Sequence, residues 1–172
     1  MSIGTVAEHA VAGDQQAFMD LVEPLLPDAF RVARGLLGSA PEAEDALQEA
    51  VLKAWQSFGR FRRDAPLRPW LFTIVANECR RLRRNRWWSV LKGSPPAGRS
   101  AVTDGDAGTA DLRRAVNRLP HDQRLAIVLR YYLDLPFDEV AGTLGISTKA
   151  AKSRTYRALE RLRLSPEVLP DE

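Results

Sequence analysis

Near its C-terminal end the chain reads GISTKAAKSRTYRALERLR, residues 145–163, with six lysines and arginines against one acid, Glu160. Cations crowded on one helix attract phosphate, but charge alone is equally the mark of a solvated helix face. The residues just upstream are more specific. Ala141 is small where two helices would cross closely, and Gly145 falls where the chain needs a left-handed backbone. Ile146 can plug the crossing and Ser147 can cap the next helix. FDEVAGTLGISTKAAKSRTYRAL therefore has the arithmetic of a helix-turn-helix, which sets the first residues of its second helix against base edges in the major groove. On that geometry Thr148, Lys149, Lys152, Ser153 and Arg154 face the bases, while Arg157 and Arg161 face phosphates. A bidentate base contact discriminates by roughly 1–3 kcal/mol, whereas phosphate contacts add affinity without sequence choice.

A second cationic group, residues 60–86, holds nine arginines against Asp64 and Glu78, interleaved with Phe61, Trp70 and Phe72. Arginine beside exposed aromatics suits single-stranded nucleic acid, because every base offers a face for stacking and the backbone offers charge. Taken singly, each aromatic fits a core position at least as well. Taken with RFRR and RRLRRNR, the set predicts a functional basic surface. Upstream lies the opposite character: Glu42, Glu44, Asp45 and Glu49, with no base between Ser39 and Leu52. Asp45, Gln48 and Glu49 share one side of a helix at spacings of three and four. Acids in a first turn also compensate the helix dipole, but a patch that repels DNA reads further as a face for docking protein.

These residues need helices to hold them. The stretch 14–38 fits two short helices or one kinked at Pro24 and Pro27. Ser39 caps a helix ending near Gly59, with Leu47, Val51, Ala54, Trp55 and Phe58 as its apolar stripe. A third helix buries Leu71, Ile74, Val75, Cys79 and Leu82 and turns Asn77, Arg80, Arg81 and Arg84 outward. Residues 88–110, rich in Gly, Ser, Pro, Thr and Ala, read as a flexible linker. Beyond it, Leu112, Val116 and Leu119 point inward from a short helix, and Leu125, Val128, Leu129 and Tyr132 form the stripe of the next. No alternating β-branched run suggests a sheet. The expected fold is all-α: two small helical domains and a linker.

Of the 172 residues, 45% are hydrophobic and 27% charged, as in ordinary folded proteins, and no run of about eighteen apolar residues could span a bilayer. Without a secretory leader pattern, a cytoplasmic location is expected and membrane insertion is not. Cys79, His9 and His121 are too few for a metal site, and neither a phosphate-binding glycine loop nor a catalytic dyad is visible, so no cofactor and no enzymatic activity is expected. The rival class is an autonomous helix-turn-helix regulator, which would need a symmetric dimer interface that no sustained heptad supplies.

In this order and separation, PEAEDALQEAVLKAWQSFGRF, PWLFTIVANECRRLRR and RLPHDQRLAIVLRYYLDLPFDEVAGTLGISTKAAKSR resemble the bacterial sigma-70 superfamily, in particular its short extracytoplasmic-function (ECF, group 4) members. The resemblance implies sigma region 2 over 1–87, a linker over 88–110 and region 4 over 111–172. It implies a factor that binds core RNA polymerase and directs promoter-specific initiation. Glu44, Asp45, Leu47, Gln48 and Glu49 match the segment that docks on the β′ clamp helices. Phe61, Arg62, Arg63 and Trp70 fall in or beside the segment that opens and captures the minus-10 element, and Asn77, Arg80, Arg81 and Arg84 match the promoter-contacting helix that follows. Region 4 would read minus-35 duplex through Thr148, Lys149, Lys152, Ser153, Arg154 and Arg157 and touch the β flap. An anti-sigma factor is a further implied partner. Ala151 departs from the larger residue common in relatives, so looser packing is expected there.

A relaxed linker of about two dozen residues spans on the order of 25–30 Å, against roughly 70 Å for two turns of DNA. The isolated chain is therefore expected to bind promoters weakly, with polymerase fixing the spacing of its two readers.

Overall fold

The computed structural model describes residues 14–62, 64–92 and 107–163, and among these every regular element is helical. Helix α1, Gln15–Val22, starts at Asp14, whose carboxylate accepts from the Gln16 and Ala17 amides at 3.0 and 3.2 Å. The two prolines separate it from α2, Leu26–Leu37: Pro24 sits in an intervening 3-10 turn and Pro27 in the first turn of α2, where a missing N–H costs nothing. Gly38 closes α2 at φ 75°, a left-handed cap that suits glycine. Ser39 then caps α3, Ala40–Ser57, and α4 runs over Leu67–Leu91.

Helices α2, α3 and α4 pack mutually. The face of α3 that enters this core is Ala43, Ala46, Ala50 and Ala54, all fully buried, and not the larger stripe expected from the sequence. Small side chains let neighbouring helices approach closely. Leu47, Val51 and Trp55 lie beside the core, half-buried, while Ala54 and Phe58 are inside as expected. Phe18, Trp55, Phe58, Phe61 and Trp70 form a continuous aromatic chain with centroids 4.8 to 5.7 Å apart, an arrangement worth about 0.5–1.5 kcal/mol per pair beyond burial.

The C-terminal half comprises α5, Ala107–Arg118, α6, His121–Ile127, a π-turn over Val128–Tyr132, α7, Phe137–Leu144, and α8, Thr148–Arg163. Two expectations fail here. Leu112 is 47% exposed, and Ala115 with Leu119 faces inward instead. Tyr132 is 49% exposed because the π-turn widens the helix and rotates it out of the seven-residue register that buries Leu125, Val128 and Leu129. The helices also occupy both ends of the stretch read as linker, through Leu91 and from Ala107; residues 93–106 lie outside the described part.

Ala115, Leu119, Ile127, Ala158 and Leu162 make a small core of their own. The rest of the C-terminal apolar surface, including Val128, Leu129, Leu133, Leu135 and Val140, joins the core of the N-terminal half. The two halves meet closely. Gly35 of α2 lies against Val128, where an added Cβ would stand 2.8 Å from a Val128 methyl, and Gly142 of α7 lies against Pro69 of α4 at 3.2 Å by the same measure. Arg124, only 1% exposed, donates to the Val116, Asn117 and Leu119 carbonyls at the end of α5 and to the Leu36 carbonyl at the end of α2. Arg83 of α4 donates to Leu36 and Asn117 as well, so two guanidinium groups serve two helix C-termini, where cations are favoured.

Candidate nucleic-acid and protein interfaces

The helix-turn-helix is built as its sequence requires. Gly145 adopts φ 66°, the Ile146 amide donates to the Ala141 carbonyl at 3.0 Å, and the Ser147 hydroxyl accepts from the Ala150 amide at 3.2 Å. Ala151, Thr155, Ala158 and Leu162 turn into the protein at helical spacing. Ala151 is completely buried, so its small side chain leaves the helix seated directly on its neighbours. Thr148, Lys149, Lys152 and Arg157 are exposed, with Ser153 and Arg154 half-buried between them. Ser147, Lys149, Ser153, Arg154 and Arg157 line a shallow cleft of about 340 Å³. Lys152 also stands 5.7 Å from the Phe137 ring centre, which orients it along the helix start.

On α4 the predicted residues are brought to one helix but not to one environment. Asn77, Arg80 and Arg84 are exposed. Arg81 donates at 2.8 Å to Glu78, a carboxylate only 4% exposed that also holds Lys53 at 2.5 Å. Burial alone would push the Glu78 carboxyl up, but the hydrogen bonds and charges of Lys53 and Arg81 outweigh it and leave the group below its ordinary range. Arg80 pairs with Asp122 of α6, and the other oxygen of the same carboxylate accepts from Arg154 of α8 at 3.3 Å. Phe61 and Trp70 are half-buried and 4.8 Å apart, next to exposed Arg62, which binds Asp64 at 2.8 Å. Phe72 is core; Arg63 lies outside the described residues.

The acidic face is intact: Glu44, Asp45, Gln48 and Glu49 are exposed, while Glu42 is engaged by Arg86 at 3.2 Å. Beside it runs an apolar groove of about 400 Å³ lined by Phe18, Met19, Leu26, Leu47, Val51 and Trp55, among others. Sequence reading placed Leu47, Val51 and Trp55 in the core and missed the groove; exposed Leu52, outside the stripe, was the available signal. It also missed Trp87 and Trp88, 64% and 56% exposed at the end of α4.

Neither titratable candidate for chemistry is poised. Burial pushes the Cys79 thiol up to about 12, and burial with the nearby charge of Arg80 pulls His121 down to about 4. Among the described residues no three His, Cys, Asp or Glu side chains could hold a metal together, and no helix is long and apolar enough to cross a membrane.

A helix-turn-helix, a second basic helix and an acidic face beside an apolar groove, with every described element helical, fit a transcription factor. Comparison with known families gives the class: residues 21–89 match sigma-70 region 2 and residues 109–162 match sigma-70 region 4. The chain is 36% identical to the ECF RNA polymerase sigma factor SigM of Mycobacterium tuberculosis over 91% of its own length and 80% of that protein. It is 33% identical to the RNA polymerase sigma factor CarQ of Myxococcus xanthus, over 88% and 90%. The solved structure of CnrH in complex with the cytosolic domain of CnrY superposes with a TM-score of 0.70 at 28% identity, covering 93% of this chain and 94% of that one. RpoE of Bartonella quintana, solved with the anti-sigma factor NepR, superposes at 0.66 and 29% identity, over 85% and 94%.

The chain belongs to the sigma-70 family. Within it, this is an ECF sigma factor, which directs RNA polymerase to promoters.

Proposed function

We propose that residues 1–87 act as region 2, residues 111–172 as region 4, and the stretch between as their connection. Glu44, Asp45, Leu47, Gln48 and Glu49 grip the β′ clamp helices of core polymerase, with the neighbouring groove taking an apolar side chain from the partner. Phe61, Arg62, Arg63, Trp70, Asn77, Arg80, Arg81 and Arg84 open and hold the minus-10 element, using stacking for unpaired bases and guanidinium groups for the backbone. Thr148, Lys149, Lys152, Ser153, Arg154 and Arg157 read the minus-35 element as duplex, and the same half touches the β flap. The protein performs no covalent chemistry, works in the cytoplasm without membrane insertion, and is held in check by an anti-sigma factor, a reading supported by the similar RpoE solved with the anti-sigma factor NepR.

The observation that carries this reading is the coexistence of a DNA-repelling acidic and apolar face on α3 with a fully formed helix-turn-helix in α7 and α8. The test is transcription in vitro with purified core polymerase. Wild type should initiate from a subset of genomic fragments, Asp45→Arg should lose polymerase binding, and Lys152→Glu should keep polymerase but lose upstream promoter recognition. Failure of the wild-type chain to direct initiation from any fragment would overturn the assignment.

A further inference from the structure

Helix α4 changes character after Arg83. Up to that point it is tied into the fold: Thr73 reaches the Thr143 carbonyl at 2.8 Å, Arg80 pairs with Asp122, Arg81 with Glu78, and Arg83 with two helix ends. Beyond it Arg84, Trp87, Trp88, Leu91 and Lys92 are all exposed, Trp87 at 64% and Trp88 at 56%. Among the described residues, the side chains of Arg84, Trp87 and Trp88 make no hydrogen bond, ion pair or ring contact. Two neighbouring indoles left in water on one helix tip mark a surface with an occupant to meet.

The spacing says which surface they extend. Asn77, Arg80, Arg84, Trp87 or Trp88, and Leu91 follow at intervals of three and four. At 3.6 residues per turn they fall within roughly 100° of one helix face, a stripe about 21 Å long. In projection Arg84 lies between the two indoles. Its charge is uniform as well: no acid occurs between Glu78 and Asp104, so the tip repels cations and attracts an anion. A helix that lies on a lipid surface places its indoles and leucines opposite its cations, not among them. Duplex DNA presents phosphates but no free base faces. An unpaired strand presents both, a face for each ring and a phosphate for each cation.

We propose that Trp87 and Trp88 form a stacking platform for unpaired DNA bases, with Arg84 and Lys92 holding the phosphates on either side. The inference rests on the reading of α4 as a single-strand contact and lengthens that contact to the end of the helix. The platform differs from Phe61 and Trp70, whose rings are half-buried and lie 4.8 Å from each other. It also differs from Arg80, since no protein partner has to leave before a base can settle on it.

Binding of a labelled mixed-sequence DNA strand, and of the duplex it forms with its complement, is measured by fluorescence anisotropy over a range of salt concentrations. Full-length wild type is compared with Trp87→Leu, Trp88→Leu, Trp88→Phe and Arg84→Ala. Leucine keeps apolar bulk and removes the π-face, so each leucine variant should weaken strand binding about tenfold, the loss for one stacked base. Its salt slope should not change, because no charge is removed, whereas Arg84→Ala should lower the slope for the strand by about 0.7. Trp88→Phe should retain most of the affinity. Neither leucine variant should move duplex binding, which rests on α8, or the thermal melt, since both positions are exposed. The platform is refuted if the leucine variants bind the strand as wild type does, if they weaken strand and duplex alike, if phenylalanine serves no better than leucine, or if wild type leaves the strand unbound. Sedimentation of wild type with phosphatidylglycerol vesicles, lost in the leucine variants while strand binding is kept, overturns it in favour of a lipid surface. Transcription in vitro with core polymerase separates this inference from the reading beneath it. If the leucine variants lose the strand as expected but wild type directs no initiation, the platform stands and the sigma-factor mechanism fails; initiation by wild type with strand binding indifferent to both tryptophans gives the reverse.

Discussion

Helices α4 and α8 each carry six lysines and arginines, yet the two sets are deployed differently. On α4, five of the six are engaged with protein: Arg68 with Glu139, Arg80 with Asp122, Arg81 with Glu78, Arg83 with two helix-end carbonyls, and Arg86 with Glu42. On α8, Lys149 and Lys152 stand outward at the start of the helix and Arg157 in its second half, while Arg154 is held across to Asp122. Equal charge thus serves as internal cement in one helix and as a presented surface in the other. The difference teaches that any ligand of Arg80 must first displace Asp122, whereas Lys149 and Lys152 are presented without such a partner to displace.

The largest expected effect comes from a buried arginine of α6 that joins the same helix ends as Arg83. Arg124→Met removes a buried donor from four carbonyl groups, of which Leu36 and Asn117 keep Arg83 and Val116 keeps the Leu119 amide, and should cost about 2 kcal/mol in a denaturant titration. A loss below about 0.5 kcal/mol, typical of surface positions, would break the comparison by showing that buried guanidinium groups are not what joins the halves.

Next in size is the contrast in DNA binding between the two helices. Arg157→Ala should weaken duplex binding and reduce the salt slope by about 1, the signature of one lost phosphate contact. Arg81→Ala, already committed to Glu78, should leave duplex binding by the free chain unchanged; equal slopes for the two variants would erase the distinction.

A smaller, pH-linked effect is expected at His121, which faces Arg80, Arg83 and Asp122. Its folded pKa is near 4 against 6.5 for the free side chain, so the unfolded chain takes up the proton first. Stability present at neutral pH should fall as pH drops from about 6.5 toward 4. Replacement by Gln should flatten that part of the profile, and an unchanged profile would place the sensitivity elsewhere. Smallest is Arg62→Ala: both partners of its pair with Asp64 are more than 70% exposed, so a thermal melt should show no measurable shift.

Sequence patterning revealed the local units well and their assembly poorly. Gly145, Ser147 and Ala141 announced the helix-turn-helix because each serves a local backbone need. The stripe of α3 was misassigned because its buried face is alanine, which hydrophobic periodicity underweights, so larger residues beside the core were taken for the core itself. Tyr132 was misplaced because a π-turn changes the repeat on which the stripe was read. Least legible was the shared core. Gly35 and Gly142 look like weak points within their helices, and only the partner surface explains them. Arg124 looks like one more surface cation until four carbonyls surround it.

Cys79, the one thiol in the chain, is sealed inside α4 with its ionisation pushed up to about 12. A thiol that is both inaccessible and protonated reacts with a labelling reagent only during the moments when its surroundings come apart. Its labelling rate is therefore a native stopwatch for breathing of the helical core, readable by mass spectrometry without an engineered probe, in free protein and under any partner that tightens or loosens it.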